Sequence, residues 1–502
     1  MTRSSDVSES LTIPEKGLDK TKLLEQMREL RDADGNWREG RTWSLVYYAD
    51  EEHYDFLKDA HNTFFSENGL NPMVFKSLRR MESEVVRMSA EMLHGDGEVV
   101  GTMTSGGTES ILMAVKAARE RFRKKRFIFN GQPELVAPES IHVAFGKAAH
   151  YFGLKVRYVP LRDDFRVDVD ALKRAVNRNT AMIAASAPQY AHGVIDPIEE
   201  IGAFAQREDI PFHVDACFGG FFLPWMEKLG YDLPPFDFRV PGVTSISADV
   251  HKYGYAAKGA SVVLYRNMSF LKHQFYISTD WPGGIYPSPS AAGTRPGGPI
   301  AAAWAAMKAM GEDGYLKLTR KTMEAVEALQ AGVRRIEGLK VLGSTDGPVV
   351  CVAAEGPEID IYAVVDQLNA KGWNLDRQQN PNSFHLSVTA NHLQAVPAFL
   401  DDLQQAVDHV RAHPELKSEG QAAMYGMIAK IPFRGAVKFS VQKIMEGMYG
   451  PEGKVPDLGG EATEDDDLIM QLMDKYGDKA MGILEKFESS KEVIKDVLPW
   501  KK

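Results

Sequence analysis

Two short runs, Ala-Met-Ile-Ala-Ala-Ser at residues 181–186 and Pro-Phe-His-Val-Asp at residues 211–215, decide the fold class. Both are rich in apolar residues and bounded by turn residues, a pattern typical of strands buried inside a sheet. Similar runs, Ser-Ile-Ser at residues 245–247 and Ser-Val-Val-Leu-Tyr at residues 261–265, follow further along the chain. We predict a buried strand at each of these runs.

Helical patterns alternate with strand-like runs from about residue 75 onward. The predicted helices of this region are Phe75–Met92, Ser110–Arg126 and Val169–Arg178. Such alternation indicates a parallel sheet with crossover helices. The predicted fold class is therefore α/β, with a large domain built on a mostly parallel sheet.

A Gly- and Pro-rich passage at residues 281–299 ends this region, and the pattern beyond it is typical of a smaller C-terminal α+β domain. That domain is predicted to contain a long helix through Ile300–Met310 and onward, strands at 348–353 and 383–388, and a helix at Ile361–Lys371. The predicted division of the chain is a polar, irregular N-terminal arm at 1–58, a large domain at 59–305, a small domain at 306–450, and an acidic linker with a C-terminal amphipathic helix at 451–502.

The composition excludes several classes of protein. The chain has 502 residues, an apolar fraction of 44% and a formal net charge of −10, which excludes a disordered, fibrous or disulfide-stapled protein. The acidic balance argues against a nucleic-acid partner, because phosphate neutralisation needs a clustered basic excess. Two distant cysteines, Cys217 and Cys351, cannot form a metal cluster alone, and no metal site is expected.

No targeting or membrane signal is found in the sequence. The first residues lack the apolar core of a signal peptide. No uncharged apolar run approaches the ~20 residues that span a bilayer. We therefore expect a cytoplasmic protein without a transmembrane segment.

The segment Gly-Thr-Met-Thr-Ser-Gly-Gly-Thr-Glu-Ser at residues 101–110 stands directly before a predicted helix. Free backbone N–H groups, small side chains and the helix dipole make such a turn a phosphate cradle, with Ser105, Gly106 and Thr108 as donors. A plain helix cap is the alternative interpretation. The segment is neither a Walker loop nor a Rossmann fingerprint.

An acid and a lysine follow two of the predicted strands. Asp215 ends the run 211–215, where open α/β sheets place ligand contacts. A buried carboxylate needs a partner, and either a protonated heterocyclic nitrogen or neighbouring backbone would serve. Lys252 lies among small and apolar residues in Ser-Ala-Asp-Val-His-Lys-Tyr-Gly at 247–254, with Lys258 six residues beyond. This setting suits the desolvated lysine with a lowered pKa that Schiff-base chemistry requires better than an exposed loop lysine.

A histidine completes the set. His142, in Pro-Glu-Ser-Ile-His-Val-Ala at residues 138–144, is suited to stacking on a planar cofactor ring, although a structural role is the alternative. In chain order, the cradle, His142, Asp215 and Lys252 are the groups that a protein supplies to pyridoxal 5′-phosphate. We interpret them as one cofactor site.

On these residues and on longer motifs, the chain resembles the fold-type I pyridoxal-phosphate enzymes of the group II decarboxylase, or carboxy-lyase, superfamily. Within that superfamily it is similar to the sphingosine-1-phosphate lyases, from about residue 35 to about residue 430. The motifs that carry the resemblance are Thr104–Ala114, His192–Pro197, Val243–Tyr255, Asp280–Tyr286 and Gly372–Leu375.

The resemblance implies a role for each cofactor-binding residue. Lys252 would carry the covalent link to the cofactor, Asp215 would meet the pyridine nitrogen, and His142 would stack on the ring. The residues implied to hold the cofactor phosphate are Gly107, Thr108, His251 and Thr294 of the partner subunit. The resemblance also implies a homodimer with shared active sites.

The implied reaction belongs to sphingolipid metabolism and cleaves the C2–C3 bond of a phosphorylated sphingoid base such as sphingosine 1-phosphate. The products would be a fatty aldehyde and phosphoethanolamine. The residues implied to act in catalysis are Lys252, Lys258, His142 and Tyr47, and those implied to contact this lipid-derived substrate are Tyr47, Asn68, Asn71, Tyr190 and Lys258.

Two positions depart from the family pattern. The family reads Asn-Pro-Leu-His-Pro where this chain reads Asn-Gly-Leu-Asn-Pro at residues 68–72, so Asn71 replaces a histidine. A neutral amide cannot give the charge-assisted hydrogen bond of an imidazolium, nor carry its proton. Trp43 stands where the lyases have a small residue. The resemblance puts both changes in the substrate pocket.

Two other functions stay open on the sequence alone. An amino-acid decarboxylase, or a lyase for a different head group, would use the same cofactor and Lys252, with Asn71 and Trp43 reshaping the pocket. A catalytically idle cofactor-binding protein is the other class. The presence of Lys252, Asp215, His142 and Lys258 together argues against it.

Overall fold

The computed structural model describes residues 13–125, 131–343, 346–418, 420–422, 425–426 and 434–451. Its largest layer is a seven-stranded sheet with the spatial order β1-β7-β6-β5-β4-β2-β3. In chain order these strands are β1 (Val100–Thr104), β2 (Glu134–Pro138), β3 (Lys155–Val159), β4 (Thr180–Ser186), β5 (Phe212–Asp215), β6 (Val243–Ala248) and β7 (Ser261–Tyr265).

The predicted mostly parallel sheet is confirmed. Strands β3, β2, β4, β5 and β6 pair in parallel, whereas β7 pairs antiparallel with both β6 and β1. No helix lies between β6 and β7, so β7 has no crossover connection and runs back beside β6. The four buried runs singled out in the sequence are β4, β5, β6 and β7.

Helices cover both faces of this sheet. The residues of β4 alternate between two buried clusters, with Ile183 and Ala185 in one and Met182 and Ala184 in the other, as expected for a strand buried on both sides. The helices up to β7 are α1 (Lys20–Asp32), α2 (Glu51–Thr63), α3 (Lys76–Met92), α4 (Gly107–Lys125), α5 (Ala144–Phe152), α6 (Val169–Ala175), α7 (Ile198–Arg207) and α8 (Leu223–Lys228). The predicted helices near residues 75–92, 110–126 and 169–178 are thus confirmed.

Two segments contain more structure than predicted. The N-terminal arm is not irregular throughout: α1 begins after Asp19, whose side chain accepts hydrogen bonds from the N–H groups of Thr21 and Lys22, each at 3.0 Å. After the short helix α9 (Met268–Leu271), the Gly- and Pro-rich passage contributes to a hairpin of β8 (Tyr276–Trp281) and β9 (Gly284–Ser288).

A second, antiparallel sheet forms the smaller α+β unit that the sequence predicts. Its spatial order is β10-β11-β13-β12. Its elements are β10 (Leu339–Leu342), β11 (Val349–Ala354), α11 (Ile361–Ala370), β12 (Asp376–Gln378), β13 (Ser383–Ser387), α12 (Val396–Ala412) and α13 (Arg434–Met448).

The two sheets are joined by the long helix α10 (Gly297–Val333), which is kinked at Gly311, where φ is 58° and ψ is 177°. The boundary expected at residue 305 falls inside this helix, and the boundary expected at residue 58 falls inside α2. The predicted acidic linker and C-terminal helix lie, from residue 452 onward, outside the described residues. Within the described residues, no helix combines the length and apolarity needed to cross a bilayer.

Candidate active site

A cavity of about 400 Å³ lies at the carboxyl ends of the parallel strands, the edge where open α/β sheets bind ligands. Each part of its wall follows a strand: the turn after β1, the loops after β2 and β4, and the segments after β5 and β6. The predicted site residues that line it are Gly107, Thr108, His142, Tyr190, Asp215, His251 and Lys252.

Lys252 is held by a buried acid. Its Nζ lies 3.1 Å from Oδ2 of Asp249, three residues earlier in the chain. Burial would lower the pKa of Lys252, but the charge of Asp249 and its hydrogen bond, together with Tyr47 and Cys217, outweigh burial and raise the pKa. The lowered pKa expected from the sequence is therefore wrong. The same lysine lowers the pKa of Asp249 against the effect of burial. The amine is therefore charged and oriented, as a partner carboxylate makes it.

One oxygen of the Asp215 carboxylate is held by a chain of buried hydrogen bonds. Its Oδ1 accepts from the N–H of Cys217 at 3.1 Å and from the hydroxyl of Ser247 at 3.4 Å. Ser247 in turn contacts Nε2 of His213 at 3.1 Å, and burial lowers the pKa of His213 to about 4, so that imidazole is neutral. In the part of the chain that the structure describes, no hydrogen bond reaches Oδ2 of Asp215, which leaves that oxygen for a ligand.

The turn after β1 fits a bound phosphate, with one correction to the predicted donors. Ser105 is not a free donor, because its N–H and its hydroxyl both donate to Glu109 at 2.7 Å. Gly106, Gly107 and Thr108 line the cavity. A Cβ on Gly107 would lie 2.8 Å from both Oδ2 of Asp249 and Sγ of Cys217, so the turn closes on the Asp249–Lys252 pair without room for a methyl group.

Two imidazoles flank this cradle. Nδ1 of His251 accepts from the N–H of Ala260 at 3.2 Å, and burial lowers its pKa. Nδ1 of His142 accepts from the N–H of Ala144 at 3.2 Å, and its ring lies 6.2 Å from the ring of Tyr190. The amine of Lys252, the carboxylate of Asp215, the two imidazoles and the turn after β1 thus line one cavity. These groups fit pyridoxal phosphate.

Tyr47 and Lys258 line a neighbouring cavity of about 430 Å³ instead. Nζ of Lys258 donates to the carbonyl of Leu45 at 2.5 Å and lies 4.9 Å from the ring centre of Tyr47. Loss of hydration, followed by the positive charge of Lys252, lowers the pKa of Lys258 to about 8. Burial raises the pKa of Tyr47. This second cavity is lined mainly by apolar atoms and aromatic rings, including those of Tyr48 and Tyr54.

Asn68, Asn71 and Thr294 do not line either cavity of their own chain. The amide of Asn68 donates to the hydroxyl of Thr294 at 3.4 Å. Oδ1 of Asn71 accepts from the N–H groups of Met73 at 3.1 Å and Val74 at 3.3 Å, so the side chain closes its own turn. The three residues form a separate group at the surface of the single chain.

Trp43 is a core residue, and its expected place in the substrate pocket is wrong. The side chain is fully buried. Its ring stacks on His392 at 4.3 Å and lies 6.1 Å from Trp373 and 4.8 Å from Phe399. These partners belong to the small domain, so Trp43 ties the N-terminal arm to that domain.

Two residues of the site were missed in the sequence. Asp249 could have been found, because its spacing three residues before Lys252 suits an ion pair. Glu109 accepts from Ser105 and also from the N–H of Ala291 at 2.9 Å, a contact across 182 residues that no local pattern indicates. Three or more metal-ligating side chains do not cluster anywhere in the described ranges.

Comparison with known proteins identifies the family of this chain. The model of the pyridoxal-dependent decarboxylase conserved domain matches residues 55–354. The chain is 47% identical over 445 residues to the sphingosine-1-phosphate lyase of Arabidopsis thaliana, covering 87% of this chain and 81% of that protein. It is 46% identical over 444 residues to sphingosine-1-phosphate lyase 1 of Rattus norvegicus, covering 88% of this chain and 77% of that protein.

Two solved structures are similar to this chain in fold. A sphingosine-1-phosphate lyase of Burkholderia pseudomallei is similar with a TM-score of 0.78 and 40% identity, covering 84% of this chain and 97% of that one. The glutamate decarboxylase of Lactobacillus brevis has a TM-score of 0.72 and 22% identity over 80% of this chain and 95% of that one, and so shares the fold.

Proposed function

The chain belongs to the sphingosine-1-phosphate lyase family, within the pyridoxal-dependent decarboxylases, and from that premise we propose that it cleaves the C2–C3 bond of a phosphorylated sphingoid base such as sphingosine 1-phosphate. The products are a fatty aldehyde and phosphoethanolamine. The observation that carries the proposal is the single cavity in which Lys252, Asp215, His142 and the turn after β1 meet.

When bound, pyridoxal phosphate supplies an electron sink for the bond that breaks at the substrate. Lys252 would bind it covalently, and Asp249 holds that lysine in place at 3.1 Å. Asp215 would hold the pyridine nitrogen, with Cys217 and Ser247 fixing its other oxygen. The groups assigned to the cofactor phosphate and ring are Gly107, Thr108, His251, His142 and Thr294 of the partner subunit.

The substrate head group is assigned to Lys258 and Tyr47, beside the cofactor cavity. With a pKa of about 8, Lys258 is a cation at neutral pH and can bind a phosphate through a charge-assisted hydrogen bond. Tyr47 stays protonated because burial raises its pKa, so its hydroxyl can donate to the same phosphate. Tyr190 lines the cofactor cavity itself and would face the reacting part of the substrate.

A homodimer with shared active sites is part of the proposal. Asn68, Asn71 and Thr294 lie apart from the cavity of their own chain, and large apolar side chains near them are exposed, namely Phe65 at 77%, Met73 at 76% and Val74 at 67%. A second copy of the chain would cover these apolar side chains, and Asn68, Asn71 and Thr294 would then contact its active site. We also propose a cytoplasmic location, which two buried free cysteines favour. We keep the four-part division of the chain as a proposal, with the boundaries at 58 and 305 moved out of α2 and α10.

Product analysis tests this function. The cofactor-loaded protein is incubated with sphingosine 1-phosphate beside a Lys252→Ala control. The proposal predicts fatty aldehyde and phosphoethanolamine in equal amounts from the wild type and neither from the control. Release of carbon dioxide from an amino acid, with no aldehyde, would instead assign a decarboxylase, and no turnover of either substrate would favour an idle binding protein.

A further inference from the structure

A carboxylate from the small domain reaches the wall of the cofactor cavity. The hydroxyl of Tyr190 donates to Oδ2 of Asp376 at 3.0 Å, across 186 residues of sequence. Tyr190 follows β4 and lines the cavity together with Lys252 and His142. Asp376 opens β12, at the edge of the small sheet. The bond therefore joins the cavity to an acid that lies behind its wall.

This bond decides what Tyr190 can offer to a ligand. An ionised carboxylate only accepts hydrogen bonds, so the single hydroxyl proton of Tyr190 points to Asp376. Toward the cavity the oxygen has lone pairs and no proton. Burial, followed by the negative charge of Asp376, raises the pKa of Tyr190, so the side chain remains a phenol at neutral pH. Tyr190 is thus placed to accept a hydrogen bond from a ligand hydroxyl.

The ring of Tyr190 is held rigidly. The ring of His385 packs 4.2 Å from it, and that of Phe218 lies 6.0 Å away, edge to face. His385 is fully buried, and burial lowers its pKa to about 4, so it is neutral. In the antiparallel register of β12 and β13, Asp376 stands opposite His385, so the backbone of the acid is held in the small sheet beside the tyrosine.

We propose that Tyr190 and Asp376 form a relay that takes the proton of the substrate hydroxyl, an inference that rests on the function proposed above. The hydroxyl proton passes to Oη of Tyr190 while the tyrosine proton passes to Oδ2 of Asp376. The electron pair of the O–H bond becomes the second bond of the aldehyde carbonyl, and the pair of the C2–C3 bond stays with C2. Asp376 is half-buried and returns the proton to water.

The test compares Asp376→Asn, Tyr190→Phe and the double variant. Asparagine still accepts from Tyr190 but does not take up its proton, so Asp376→Asn separates proton uptake from positioning. General base catalysis is worth about 10²- to 10⁴-fold, and we expect kcat to fall by that range with KM and cofactor affinity nearly unchanged. Because the two residues act in series, the double variant should lose no more than either single variant.

Tyr362→Phe is the matched control. The hydroxyl of Tyr362 donates at 2.5 Å to the carbonyl of Gln378, which lies on β12 like Asp376, and neither Tyr362 nor Gln378 lines either cavity. This variant should leave kcat intact. Asp376→Glu keeps a carboxylate and should retain more activity than Asp376→Asn.

An unchanged kcat in Asp376→Asn would overturn the relay, as would losses that multiply in the double variant or equal losses with Asn and Glu. Wild-type protein that releases no aldehyde would refute the proposed function, and the relay with it. Wild-type protein that releases aldehyde beside a fully active Asp376→Asn would refute the relay alone.

Discussion

Replacing Gly107 with alanine perturbs the cofactor cradle at its tightest point. The new Cβ would lie 2.8 Å from both Oδ2 of Asp249 and Sγ of Cys217, closer than Cβ atoms approach other groups in proteins. Both neighbours are buried, so one of them must move. Overpacking of this kind costs about 1–3 kcal/mol. Because a folded domain is typically stable by about 5–15 kcal/mol, the protein should still fold.

The strain falls on the Asp249–Lys252 pair and therefore on cofactor binding. A cost of about 1–3 kcal/mol corresponds to a Kd for pyridoxal phosphate raised about 5- to 150-fold. The assay titrates the cofactor into apoprotein and follows the visible absorbance of the lysine adduct. Gly97→Ala is the control, because Gly97 has open space around it. Wild-type affinity in Gly107→Ala, with an unchanged thermal midpoint, would show that the turn has room for a methyl group at this position.

Three further predictions concern Lys258, Trp43 and Glu82. Because the pKa of Lys258 is about 8, its positive charge is present below that pH and lost above it, so kcat/KM should fall as the pH rises through about 8. Lys258→Arg should remove this fall, and a rise through the same range in the wild type would mean that the lysine acts as a base. Trp43→Ala should lower the free energy of unfolding by about 3–5 kcal/mol in urea titrations, with KM unchanged in the folded protein. A changed KM at full stability would return Trp43 to the substrate pocket. Glu82→Gln breaks the buried pair with Arg295, whose Nη2 lies 2.6 Å from Oε1, and should cost about 3–5 kcal/mol in the same titration. The exposed pair of Lys58 with Asp55 is the control, and equal effects of Glu82→Gln and Asp55→Asn would contradict the assignment.

Local pattern predicted the parts of this molecule that local physics controls. The strands β4 to β7 follow from short apolar runs, and α3 and α4 follow from helical periodicity. Asp215 and Lys252 were found because a buried charge at a strand end needs a ligand or a partner.

Contacts that are distant in sequence were not predicted. Trp43 was assigned to the pocket on the resemblance alone. The assignment failed because its true partners, Trp373, His392 and Phe399, lie more than 300 residues away in the sequence. The hydrogen bond from the N–H of Ala291 to Glu109, across 182 residues, was likewise not predicted. Ser105 is a different case, because the acceptor of its N–H, Glu109, lies only four residues away and was overlooked. The hairpin of β8 and β9 was missed because its glycines and prolines are also typical of an irregular loop.

The lyase reaction is placed here in the cavity around Lys252, and one experiment tests that placement directly. Borohydride reduction of the cofactor-loaded protein fixes the cofactor to its lysine, and peptide mapping then locates it while the same sample is assayed for aldehyde release from sphingosine 1-phosphate. We expect the cofactor to be attached to Lys252 and aldehyde release to be abolished in the reduced protein. Attachment to Lys258 or another lysine, or continued aldehyde release after complete reduction of Lys252, would contradict that placement.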